Sequence, residues 1–142
     1  MHTVTVVLLP PGTPDLWQAG SDLLRAHRLD DDSNAVRPYR LDYWTVGGGS
    51  IEDAESAAAL RVAGDPDMAP NVCLVSRLPP DFAPGALVTP DGRWFDLMDH
   101  GWRLLDGDSP ANRAAEAAWA EQVRQLLAAH ADCVAVEFDT HS

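Results

Sequence analysis

Along this chain the spacing of hydrophobic and polar positions changes period several times, and each change marks an element. Residues 3 to 9, Thr-Val-Thr-Val-Val-Leu-Leu, alternate with β-branched character and predict a first strand that ends at Pro10 and Pro11. Leu16, Ala19, Leu23, Leu24 and His27 then recur at helical spacing, so a helix is expected over residues 14 to 28. Thr13 suits its N-cap, Pro14 its first position and Asp15 the positive end of its dipole. Gly20 inside it costs roughly 1 kcal/mol relative to alanine. Asp30, Asp31, Asp32, Ser33 and Asn34 form a polar loop, and Leu41 to Val46 reads as a short aromatic strand running into Gly47, Gly48 and Gly49. Ser50, with Asp53 three positions on, is a weak capping box for an alanine-rich helix that stops at Gly64, Asp65 and Pro66.

The second half carries the sharper signals. Residues 71 to 78 read as a strand or extended edge segment, set apart by Pro79, Pro80 and Pro84. Two apolar runs flank Pro90-Asp91-Gly92, whose turn chemistry predicts a β-hairpin. Ser109 caps and Pro110 opens a helix over residues 110 to 129, with Ala115, Trp119, Val123, Leu126 and Leu127 along its apolar line. Cys133 to Asp139 closes the order as a strand too apolar to dangle. The pattern predicts an α+β fold: one mixed or antiparallel sheet with helices packed on one face, approaching a ferredoxin-like layer with an insertion. At 142 residues the chain fits a single domain, residues 1 to 142.

Composition narrows the class. A 46% hydrophobic content with five tryptophans excludes a disordered tail. No apolar run approaches the roughly 20 residues of a membrane span, and the first residues lack the basic start of a signal peptide, so a cytoplasmic protein is expected. The chain holds ten arginines, no lysine and 22 acids, a net charge of -12 spread evenly over both halves. Such a surface repels phosphates and disfavours nucleic acid, while it attracts a basic protein partner or simply keeps the chain soluble.

Candidate chemistry is sparse. Cys73 and Cys133 lie in apolar runs without metal-ligand or redox spacing and read as buried thiols. No set of four ligands has zinc spacing, so neither metal nor cofactor is expected. His130 and Cys133, in H-x-x-C spacing, are a weaker metal thought, since His130 also suits a helix C-terminus. Gly47, Gly48, Gly49 and Ser50 lack the lysine of a phosphate loop but can hold an anion at a helix start; the plainer reading is a connector. On a strand, Asp139 and His141 point to one face and can bind a metal or move a proton, with Asp42 and His100 as unplaced further groups; fraying at a strand end is the plainer alternative. Trp44, Trp94 and Trp102 can line one ligand pocket or serve the core.

The stretches "DYWTVGGG", "ALVTPDGRWFDLMDHGW" and "EFDTHS" together resemble a loosely defined set of small uncharacterised proteins of phages and bacteria. Those carry an aromatic strand ending in Gly-Gly-Arg-Trp, a P-D-G-x-W hairpin followed by G-W, and a closing Asp-Cys-His. Over residues 37 to 142, Trp94, Gly101, Trp102, Asp139 and His141 match; Gly49 and Ser50 stand for the Arg-Trp, and Thr140 for the cysteine. The resemblance implies context and no activity. Two functions follow as expectations. The first is an acidic binding protein, phage- or mobile-element-derived, that meets a basic protein through exposed acids such as Asp30, Asp31, Asp32, Asp65 and Asp67. The second is a small enzyme or ligand-binding domain with its site near Gly47–Gly49 and the Asp139/His141 pair.

Overall fold

Val6, Val7, Leu8 and Leu9 all bury their side chains, which a strand achieves only when both faces of its sheet are covered. The computed structural model describes residues 1–28, 40–46 and 71–142. In it β1 (His2–Leu9) and β6 (Val134–His141) pair antiparallel over their whole length and form the centre of a six-stranded sheet. The free edge of β6 is shared end to end by β2 (Tyr43–Val46) and β3 (Val72–Leu74), both antiparallel to it. On its other side β1 pairs in parallel with β4 (Ala86–Val88), and β5 (Trp94–Asp96) closes that edge as the second arm of a hairpin.

The mixed sheet with two described helices is the α+β class that the pattern predicts. The helices, however, do not share a face. α1 (Leu16–Arg25) brings Leu24 against Val7, Leu9, Val88, Val136 and Phe138. α2 (Pro110–Ala129) brings Trp119 and Val123 against Val6, Leu8, Leu87 and Ala135 on the opposite side. The one-face expectation is corrected by the Val-Val-Leu-Leu and Cys-Val-Ala-Val runs: continuous apolar strands need cover twice. The parallel β1–β4 pairing likewise departs from an antiparallel ferredoxin-like layer.

Local chemistry explains the element ends. The N-cap of α1 is Asp15, which accepts from the Gln18 N–H at 3.1 Å; the Thr13 hydroxyl is spent instead on the Pro10 carbonyl at 2.7 Å. Gly20 is there for closeness: a Cβ would stand 2.6 Å from the Phe138 ring, so only glycine lets α1 settle on β6. Ser109 caps α2 as expected, accepting from the Asn112 N–H at 3.1 Å. The Asn112 side chain, almost fully buried, in turn ties the helix start to both the N–H and the C=O of Arg103. In the hairpin, Gly92 takes the left-handed conformation (φ 84°) that a three-residue loop needs, and Thr89 and Arg93 close the ladder. The His27 ring reaches the Gly92 carbonyl at 2.7 Å and fastens that turn to the end of α1.

Both Cys73 and Cys133 are buried. Among the described residues no helix is long and apolar enough to cross a membrane. The polar loop at 30–34, the glycine turn with Ser50, the helix expected after it, and Asp65 and Asp67 lie outside the described residues.

Candidate functional site

Register assembles the polar end of the sheet. β6 alternates between its faces, so Val134, Val136 and Phe138 face α1 while Ala135, Glu137, Asp139 and His141 face the other way. Pairing then sets Tyr43, His141 and His2 side by side across β2, β6 and β1. Tyr43 stacks on His141 with ring centroids 4.8 Å apart, and His2 meets His141 edge-on at 5.0 Å.

Asp139 and His141 do share a face, as their spacing requires, but they do not bond to each other. Each takes its own partner. His2 Nδ1 lies 3.0 and 3.1 Å from the Asp139 carboxylate oxygens. His141 Nδ1 lies 2.9 and 3.1 Å from those of Asp42. A carboxylate only accepts, so both rings carry hydrogen on Nδ1, and His141 turns its Nε2 to the Met1 ammonium at 3.3 Å. The two pairs are buried in opposite senses: the Asp139 side chain is 6% exposed beneath a 46% exposed His2, whereas Asp42 is 47% exposed beside a 30% exposed His141. The hydrogen bond from His141 holds the Asp42 carboxyl below its ordinary range, against an opposing desolvation. Glu137, one pleat deeper on this face, is fully buried.

A cleft adjoins these pairs. Beyond the residues that α1 covers, a concavity of about 760 Å³ is lined by Thr3, Ala86 and Thr140 of the sheet, by Trp94 and Asp96 of β5, and by Phe82, Leu97, Met98 and Trp102 around its wall; His2 stands at its rim. Its floor is fitted closely, since a Cβ on Gly85 would lie 2.6 Å from Thr3 Cγ2. Thr5 and Thr140 join hydroxyls at 2.8 Å beneath it, and Thr140 also bonds the Thr3 carbonyl. Asp96 organises the polar side: it accepts from the Trp94 indole at 2.8 Å, from Arg40 at 3.3 Å and from the Asp99 N–H at 3.0 Å, while Arg40 also reaches Asp99 at 3.1 Å.

The tryptophans expected to share a pocket divide. Trp94 and Trp102 both line this cleft. Trp44 does not: it lies on the α1 face, donates to Ser21 Oγ at 3.1 Å and carries the Arg28 guanidinium over its ring. Trp17 and Trp119 serve the two cores. His100 stays away from the Asp–His pairs and bonds Gln122 on α2 at 2.6 Å. Burial, with Asp132 close by, pushes the Cys133 thiol above its usual range, which disfavours a reactive thiolate. Gly47, Gly48, Gly49, Ser50 and the acids Asp30, Asp31, Asp32, Asp65 and Asp67 fall outside the described residues.

Three contributors escaped the sequence reading. His2 becomes visible only once β1 is in register with β6. Arg40 and Asp96 meet across a separation of 56 residues, and no local pattern announces that contact. Among the described residues, no three His, Cys, Asp or Glu side chains gather as a metal-holding group. No family model matches the chain, and comparison with curated proteins and with solved structures gives no match.

Proposed function

We propose that this chain is a small-ligand-binding domain that works by holding a largely apolar molecule in the cleft beside β5. One observation carries the reading: a concavity of about 760 Å³ whose wall gathers Trp94, Trp102, Phe82, Leu97 and Met98 around a fixed Arg40–Asp96 pair. Small-molecule sites typically span about 300–1,000 Å³, with apolar walls and a few fixed polar groups that orient the ligand. Arg40 is already neutralised by Asp96 and Asp99, so the site suits a neutral ligand better than an anion.

The test is a ligand-observed NMR screen of a neutral aromatic fragment library against the whole chain and an Ala83→Trp variant. Ala83 is exposed and lines the cleft, so the larger ring fills the space without disturbing either core. Fragments that bind the parent and are lost from the variant support the proposal. A library that yields no binders, or binders indifferent to Ala83→Trp, removes it.

A second reading, an acidic protein of phage or mobile-element origin that engages a basic protein, keeps one observation of its own. Leu104 and Leu105 are 65% and 98% exposed in a short helical turn (Leu104–Asp106), beside Asp106 and Asp108. Two solvent-facing leucines form an apolar tip with Asp106 on one side, Arg103 on the other and Asp108 paired to Arg113, which suits a partner surface with an apolar dimple. Capture from the native host, repeated with Leu104→Ser/Leu105→Ser, separates it from ligand binding: a basic partner lost on substitution supports it, and an unchanged capture profile excludes the tip.

A further inference from the structure

We infer that His2 and His141 together form a binding site for a borderline divalent transition ion such as zinc, nickel or copper, held through their Nε2 atoms at the polar end of the sheet. The inference is independent of the cleft and of its ligand.

The argument begins with second partners. A metal-binding histidine almost always gives its other ring N–H to a carboxylate or carbonyl, which fixes the ring and makes the ligating nitrogen more basic. Here both histidines already have that arrangement: Asp139 takes Nδ1 of His2 and Asp42 takes Nδ1 of His141. The two rings then sit at directly opposite positions of paired strands and meet edge-on, 5.0 Å apart between centroids. Tyr43, stacked on His141, limits its rotation further.

Imidazole nitrogens select zinc, nickel and copper over magnesium and calcium, which prefer oxygen. The adjoining carboxylates and the net charge of -12 favour the approach of any cation. The Met1 nitrogen now stands 3.3 Å from His141 Nε2, a position it yields when an ion arrives. With two protein ligands the remaining positions fall to water, so this is an open site and differs from the four-ligand structural zinc whose spacing the sequence lacks.

The test is calorimetric titration of the full chain with zinc chloride in a non-coordinating buffer. One saturable equivalent is expected. His2→Ala and His141→Ala should each lower affinity at least tenfold, and Asp139→Asn by roughly 10- to 100-fold, the usual effect of losing such a carboxylate. His130→Ala, outside the site, should change nothing. If a variant fails to fold, the parent protein still decides: long-range ¹H–¹⁵N spectra should show zinc shifting Nε2 of His2 and His141 while their Nδ1 stays protonated. No saturable binding, binding that survives the His2→Ala/His141→Ala double variant, or shifts confined to other histidines would each overturn the inference.

Discussion

The two ends of the sheet are built on opposite principles. At the end where Leu9, Val88 and Val134 lie, α1 covers one face, the hairpin turn is fastened by His27 to Gly92, and every central side chain is buried. At the other end the same strands carry His2, Asp139, Thr140 and His141, and a cleft stands open beside them. β1 and β6 pass without interruption through both. One pair of strands thus carries a closed core at one end and a polar, open surface at the other, and substitutions should separate the two.

The largest effect is expected from β6 itself. Truncation after Asp132 removes the partner of β1, β2 and β3 together and should abolish cooperative thermal unfolding. A truncated chain that melts like the parent would show the central strand to be dispensable. Next comes Phe138→Ala, the last fully buried side chain before the polar end, with a cost of about 3–5 kcal/mol by urea denaturation. A loss below about 1 kcal/mol would mean that the closed end does not reach as far as Phe138.

Asp139→Asn tests the polar end. It weakens the hydrogen bonds to His2 at a buried carboxylate and should cost roughly 1–3 kcal/mol, less than Phe138→Ala. Asp42→Asn, at a half-exposed carboxylate, should leave the melting temperature nearly unchanged. Equal effects at the two positions would contradict their opposite burial.

The smallest expected effect returns to the closed end and depends on pH. A hydrogen bond from the Thr89 hydroxyl holds the Asp91 carboxyl below its usual range. Its folded pKa is lower than its unfolded value of about 3.9, so its contribution is complete above that pH and is lost as pH falls through the folded value. The difference in melting temperature between parent and Asp91→Asn should therefore be present at pH 6 and shrink at pH 3. A difference that grows on acidification would have the wrong sign.

The closed end was largely legible in sequence. Helical spacing, Ser109 and Pro110 announced α2 with its boundaries, and Pro-Asp-Gly announced the hairpin, because capping and turn chemistry act over a few residues. The placement of helices on two faces was written in the continuous apolar runs of β1 and β6, which alternation alone does not disclose. The open end was legible only in part. Period two put Asp139 and His141 on one face, yet their true partners, His2 and Asp42, lie 137 and 99 residues away in the chain. Register is a property of the assembled sheet, so local pattern cannot report it. Gly20 shows the reverse case, where a residue read as a weakness is required by the approach of Phe138.

The shared edge of β6 also bears on how the sheet comes into being. β6 follows every other strand in the chain, yet β1 pairs with it along its full length and both β2 and β3 lie against it. Until it is synthesised, those three strands lack their main neighbour, and the pairings of β1 and β2 with it span most of the sequence. Closing such long loops before any reward is slow, which places folding toward the millisecond-to-second regime of non-local topologies. It also leaves open strand edges on the growing chain, where self-association competes with completion of the sheet.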